Sequence, residues 1–218
     1  MLSKGSSCCY SFDDYKLTTE WLQNQTRHRP KVAVICGSGL GLLAEAAADK
    51  QTFRYQDIPN FPVSTVPGHE GCLVFGTIEE TPCVFMKGHF HLYEGYSLCQ
   101  VGRPHCYPAC TGAGRGRCLR LILPLCPNKG LLVAPLPPSP RLLVCPGMSM
   151  VPEVTVAKHC GLRVLGLTLV TNKVSLDYSR EEKVNHDEVL EICKMRAELL
   201  QKLVSTLIGR CQQNINTH

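Results

Sequence analysis

The sequence has no apolar run near the ~18 uninterrupted residues that a membrane-spanning helix requires, and it carries a single tryptophan. No membrane span is expected. Met1 to Ser7 is polar and lacks the apolar core of a secretory signal, so a cytoplasmic location is the expectation. Acidic residues are missing from one stretch: residues 102–146 hold five arginines and one lysine but no Asp or Glu. That stretch accounts for the formal charge of +5, because the remainder carries 17 basic and 18 acidic side chains. A general basic surface for nucleic acid is therefore not expected. Zinc grammar is also lacking. Fourteen cysteines are present, yet Cys106, Cys110, Cys118 and Cys126 have no histidine pair following at a ligand spacing. No metal site is expected, and without an export signal the thiols read as reduced rather than as a disulfide framework.

What the chain does have is a globular balance, with 44% hydrophobic and 19% charged residues over a length of 218. One domain over residues 1–218 is the expectation, interrupted by an atypical Pro/Cys/Arg-rich segment at about 102–146. That segment holds nine of the fifteen prolines. Pro135, Pro137, Pro138 and Pro140 each fix φ and remove a backbone donor, which excludes a helix or central strand around Ala134 to Arg141. Leu119 to Leu125 alternates weakly and is the one short strand candidate there. The segment reads as an irregular linker, with a basic interaction segment as the alternative.

On either side the pattern is regular. Ser11 followed by Asp13 and Asp14 caps a helix through Tyr15, Leu17, Trp21 and Leu22. Lys31 to Cys36 is a β-branched run suited to a buried parallel strand. It leads into Gly37-Ser38-Gly39-Leu40-Gly41, after which Leu42 to Ala48 reads as a helix. Leu73 to Thr77 and Cys83 to Lys87 read as strands joined by a turn at Glu79 to Pro82. Later, Pro152 and Gly161 bracket a helix over about Val151 to Cys160. Arg163 to Val170 reads as a strand, and Arg180 to Gly209 as a helix with one apolar stripe at 189/190, 193, 197, 200, 204 and 207.

Several residues suit chemistry. A glycine turn before a helix lets backbone amides face an anion, and Ser38 adds a hydroxyl. Leu42 stands where a dinucleotide fingerprint needs its third glycine, so a phosphate cradle fits better than a dinucleotide clamp. In Gly88-His89-Phe90-His91-Leu92-Tyr93-Glu94-Gly95, an extended chain places His89 and His91 on one face, where two imidazoles suit an anion or a metal. His69 lies in a glycine-bounded loop of the kind that closes over sites. Asn172 both donates and accepts, Lys173 offers a cation, and His186 continues the apolar stripe of the last helix. Each has a bland alternative as a solvated, capping or core residue.

Taken in order, these residues resemble the purine nucleoside phosphorylases, the trimeric type of animals. The resemblance rests on Phe12-Asp13-Asp14-Tyr15, Ile35 to Gly41, Ile58-Pro59-Asn60-Phe61-Pro62, Thr65-Val66-Pro67-Gly68-His69 and His91 to Tyr96. It continues through Gly147-Met148-Ser149, Val151-Pro152-Glu153, Ala157 to Val164, Thr171 to Val174, Asp177-Tyr178 and Asn185-His186. It implies an α/β fold with a central mixed β-sheet flanked by helices. It also implies reversible phosphorolysis of purine ribo- and deoxyribonucleosides to free base and pentose 1-phosphate. Phosphate is then a co-substrate, no cofactor or metal is needed, and a homotrimer is the expected assembly. By motif, Ser38, His91 and Ser149 would hold phosphate, with His69 closing over it and His89 beside it. Tyr93 and Met148 would line the ribose, Asn172 would meet the purine N7 edge, and His186 would bind the 5′-hydroxyl. Asn172 and His91 are the expected catalytic pair.

The departures are specific. His89 stands where the family has an arginine, exchanging a permanent bidentate cation for an imidazole. The family's Asn-Ala-Ala-Gly-Gly and Ser-Phe-Glu-Thr segments are absent, and with them the purine-binding glutamate and, by expectation, central strands. The expected sheet is therefore incomplete. A non-catalytic paralogue or splice form acting through subunit association is the alternative, and a dinucleotide oxidoreductase a distant third.

Overall fold

The computed structural model describes residues 11–37, 41–65, 69–90, 94–96, 119–123, 125–126, 151–167, 169–170 and 186–216. The chain begins with helix α1 (Phe12–Gln25), closed at its start by a capping box. The Asp14 amide donates to Ser11 Oγ at 3.3 Å, and the Ser11 amide donates back to Asp14 Oδ2 at 2.9 Å. Strands β1 (Val32–Cys36), β2 (Ala48–Arg54), β3 (Cys72–Ile78), β4 (Thr81–Lys87) and β5 (Leu119–Leu123) follow. Then come β6 (Leu125–Cys126), helix α2 (Val151–His159), β7 (Arg163–Gly166), β8 (Leu169–Val170) and helix α3 (His186–Asn216).

Six strands form one mixed sheet in the order β2-β3-β4-β1-β5-β7, and β6 pairs with β8 in parallel. The β2-β3-β4 portion is antiparallel, while β4, β1, β5 and β7 run parallel. Parallel alignment brings the carboxyl ends of β1 and β4 to one edge, where Cys36 is the register partner of Lys87. Open α/β sheets place their ligands at that edge.

Alternation along the strands builds two cores. Val32, Val34 and Cys36 of β1 join Cys83 and Phe85 of β4 on one face, against Leu43 and Ala44 and against Val204 and Ile208 of α3. Ala33 and Ile35 face the other way with Val84 and Met86, where Leu22 of α1, Tyr55, Phe61 and Phe90 cover them. The central strand β1 is buried along its whole length, as its continuous apolar run requires.

Several expectations change. Residues 42–48 are not an α-helix: Gly41–Ala46 is a 3-10 helix, and Ala48 already begins β2. The Glu79-Glu80 turn is tighter than expected, with both residues at positive φ (45° and 60°), the geometry of a two-residue hairpin. The segment at 102–146 is not all linker, because Leu119–Leu123 sits in the sheet between β1 and β7. The strand expected over Arg163 to Val170 divides into β7 and β8. In the last helix the buried position is Ile208, with Leu207 half-buried, so the stripe steps by four through Leu200, Val204 and Ile208. Residues 134–141 and 180–185 lie outside the described residues.

Helix α2 closes as its glycine predicted. The Gly161 amide donates to Lys158 O at 2.9 Å and the Leu162 amide to Ala157 O at 3.0 Å, with Leu162 packed on Ala157.

Candidate active site

Two of the expected site residues have described side chains, and the fold brings them together. His69 and His89, twenty positions apart, have ring centroids 4.9 Å apart. His69 Nδ1–H donates to the His89 carbonyl at 3.0 Å, with Ser64 Oγ 3.3 Å away from the same nitrogen. That bond places the proton of the neutral ring on Nδ1 and the lone pair on Nε2. Burial lowers the His69 pKa against opposing pulls from the His89 carbonyl and Glu94, so the neutral ring dominates at pH 7.

The platform beneath this pair is aromatic. Tyr55 packs on Phe61 and Phe90 at 4.9 and 5.3 Å between ring centroids. Its hydroxyl donates to Gly88 O at 2.6 Å. Burial pushes the Tyr55 pKa well above its ordinary value, so it remains a donor. Gly88 takes φ +106°, and a Cβ there would stand 2.8 Å from His69 Cβ. Only glycine allows the histidine to lie on this turn. On the approach to the loop, Glu94 accepts from the Thr65 amide at 2.9 Å and from its hydroxyl at 2.7 Å, and Tyr96 donates to Val63 O.

Lys87, Glu70 and Glu45 were not singled out by the sequence. Lys87 Nζ lies 3.0 Å from Glu45 Oε1 and 2.7 Å from Glu70 Oε2, with Lys87 preceding Gly88 and Glu70 following His69 in the chain. Their separation along the chain left no local signal. Burial pushes the neighbouring Cys36 thiol up to about 12, so it is not a thiolate nucleophile. Among the described residues, no group of three or more His, Cys, Asp or Glu is arranged to hold a metal ion.

Ser38, His91, Tyr93, Met148, Ser149, Asn172 and Lys173 lie outside the described residues. The elements flanking them do not: β1 ends at Cys36, α2 begins at Val151 and β8 ends at Val170. His186 is the first residue of α3.

Comparison with known proteins decides the family. The chain is 37% identical to the purine nucleoside phosphorylase of Rattus norvegicus, the match covering 91% of this chain and 95% of the relative. The chain belongs to the purine nucleoside phosphorylases. Purine nucleoside phosphorylase 1 of Bacillus subtilis is 32% identical, over 91% of this chain and 98% of that one. The Phosphorylase superfamily model matches residues 141–209. Among solved structures, isoform 2 of the Schistosoma mansoni purine nucleoside phosphorylase, in complex with cytosine and ribose-1-phosphate, is similar with a TM-score of 0.75. It is 27% identical, with 92% of this chain and 97% of that chain covered. The schistosoma enzyme in complex with hypoxanthine gives a TM-score of 0.73 at 29% identity, covering 91% of this chain and 97% of that one.

The rat alignment also measures a departure from this phosphorylase family. It runs over 283 positions, whereas 91% of 218 residues is about 198, so about 85 positions hold no residue of this chain. The chain is thus shorter than the relative within the aligned region, in keeping with the absent family motifs. The sheet of six strands nevertheless includes one from the atypical segment.

Proposed function

We propose that this chain is a purine nucleoside phosphorylase in activity as well as in family: a pentosyltransferase that cleaves purine nucleosides with inorganic phosphate. The observation that carries the proposal is the match to relatives of that name over nine-tenths of the chain, with up to 37% identity. The site geometry supports it. A glycine motif, His69 and His89 belong to the carboxyl edge of β1 and β4, where an anion is held in this type of sheet.

In this mechanism phosphate attacks the anomeric carbon as the glycosidic bond breaks, and inversion gives pentose 1-phosphate. The ribosyl group gathers positive charge, which the anionic phosphate beneath it stabilises. The bond's electron pair leaves with the purine, and Asn172 holds the N7 edge where that charge is taken up. Ser38, His91 and Ser149 hold the phosphate, with His89 beside them and His69 over it. Tyr93 and Met148 line the sugar, and His186 binds its 5′-hydroxyl. The neutral His69 ring, fixed with its proton on Nδ1, presents Nε2 as an acceptor for a protonated phosphate oxygen. The purine-binding glutamate has no counterpart here, so base recognition rests on Asn172. One domain over residues 1–218, a cytoplasmic location and a homotrimer complete the proposal.

The test is hydrogen-phosphate-dependent release of hypoxanthine from inosine by the purified full chain. Turnover that requires phosphate, and that is lost in Asn172→Ala and His91→Ala, is the expected result. Equal turnover in both variants would remove the site assignment, and release that ignores phosphate would remove the reaction.

A further inference from the structure

We propose that Lys87 and Glu70 are positioning residues that tie the His69 loop to the helix following the glycine motif and thereby set phosphate affinity. The proposal rests on the phosphorolysis reading above. Lys87 is the last residue of β4, and its side chain is 7% exposed. Its ammonium is shared by Glu45, in the 3-10 helix Gly41–Ala46, and by Glu70, the residue after His69. Lys50 holds the second oxygen of Glu45 at 2.9 Å, so charges alternate along Lys50, Glu45, Lys87 and Glu70.

Two loops are thus fixed by one buried cation. His69 is held by the His89 carbonyl at 3.0 Å and packs over Gly88. Glu70 is held by Lys87 at 2.7 Å, and the Gly71 amide donates to Lys87 O at 2.9 Å. Lys87, the last residue of β4, and His89 just beyond it therefore hold three consecutive residues, His69 to Gly71. At the other side, a Cβ on Gly41 would stand 3.0 Å from Lys87 Cε and 3.1 Å from Glu70 Oε1. The last glycine of the motif packs directly against the ion pair.

This arrangement suits the chemistry of this chain. His89 supplies no permanent charge, so phosphate affinity leans on accurate placement of His69 and of the glycine motif. Placement errors near 1 Å are enough to weaken a site of this kind. Lys87 acts through these loops and touches no substrate.

The experiment uses the full chain, with Glu70→Gln, Lys87→Met and Lys87→Arg, and Lys16→Gln as a control at an exposed pair. Phosphate KM, inosine KM, kcat, Tm and hydrogen exchange over residues 69–71 are measured for each. Loss of one charge-assisted bond predicts that Glu70→Gln raises the phosphate KM about tenfold and leaves the inosine KM within about twofold. Exchange over residues 69–71 should quicken in the same variant. Lys87→Met should act more strongly, and Lys87→Arg should recover part of the loss. Because Glu70 is 58% exposed, its variant keeps the fold, and it decides the matter if Lys87→Met fails to fold. A phosphate KM unchanged in Glu70→Gln overturns the proposal, as does an equal rise in both KM values. If the unaltered chain shows no phosphate-dependent turnover, the phosphorolysis reading fails by itself. The tether is then judged by exchange alone: quickened exchange supports it, and unchanged exchange overturns it.

Discussion

Lys87, at the end of β4, and Glu153, in the first turn of α2, are 7% and 1% exposed yet reach opposite ionisation states. Burial alone would pull Lys87 down, but the hydrogen bonds it donates to Glu70 and Glu45 outweigh it and hold the ammonium above its ordinary pKa. Glu153 has no such company. Among the described residues its oxygens meet no hydrogen-bond partner outside its own backbone, and burial pushes its carboxyl up to about 8. Its own backbone amide is the one opposing influence. Burial sets the demand for a partner, and the partner decides the charge.

The largest expected effect comes from Glu153. Its folded pKa lies above the ordinary 4.5, so its contribution to stability is intact below that value and is lost as pH rises toward about 8. The Glu153→Gln variant cannot ionise. Its stability relative to the unaltered chain should therefore grow by about 4 kcal/mol between pH 4.5 and pH 8.5, at ~1.4 kcal/mol per pKa unit. Urea unfolding at several pH values measures this directly. A difference that stays constant with pH would show that Glu153 is solvated or paired after all.

Lys87 gives the second effect, because its partners can be removed from either side. Replacing both Glu45 and Glu70 by glutamine leaves a buried ammonium without a counter-charge, and should cost about 3 kcal/mol. Lys87→Met should cost less, about 1–2 kcal/mol, because the two carboxylates it abandons are 53% and 58% exposed and turn to water. The inequality is the point. If Lys87→Met is the more damaging change, the carboxylates are not there to compensate a buried charge. The same network predicts a weak acid sensitivity. Hydrogen bonds from Lys50 and Lys87 hold Glu45 below 4.5, so its contribution is present above that pH and is lost as pH falls through the lowered value. Screening at this exposed carboxylate limits the loss to under about 1 kcal/mol.

How much of this was legible in the sequence depended on distance along the chain. The α1 cap was readable because Ser11 and Asp14 lie three residues apart, and β1 because five apolar residues run together. Gly161 announced the end of α2 for the same local reason. Strand β2 was missed because Ala-Asp-Lys-Gln-Thr-Phe-Arg is a mostly exposed edge strand with a register shift and no apolar alternation. Strand β5 was only a weak candidate because the prolines and arginines around it masked a pairing supplied by β1 and β7, far away in sequence. The site followed the same rule. His69 and His89 were each conspicuous, but their contact spans twenty residues. Lys87 meets Glu45 from 42 residues away, and no periodicity connects them. Glu153 entered only as part of the Val151-Pro152-Glu153 motif, and nothing local reveals that the position is buried.

The smallest effect is the one that isolates burial as the cause. Lys16 and Glu20 are also an oppositely charged pair, one helical turn apart on α1, with 3.7 Å between Nζ and Oε1. They are 60% and 54% exposed. Water already satisfies both groups, so neither depends on the other to stay charged. Lys16→Gln should change stability by no more than about 0.5 kcal/mol, and raising salt to about 1 M should erase most of that. The Lys87 variants should keep most of their effect in the same salt, since a lysine side chain only 7% exposed is reached poorly by counter-ions. Urea midpoints at low and high salt compare the two pairs in one experiment. Equal salt responses would mean that Lys87 is as well solvated as Lys16, and the contrast between a partnered buried cation and a buried acid with no partner side chain among the described residues would have to be given up.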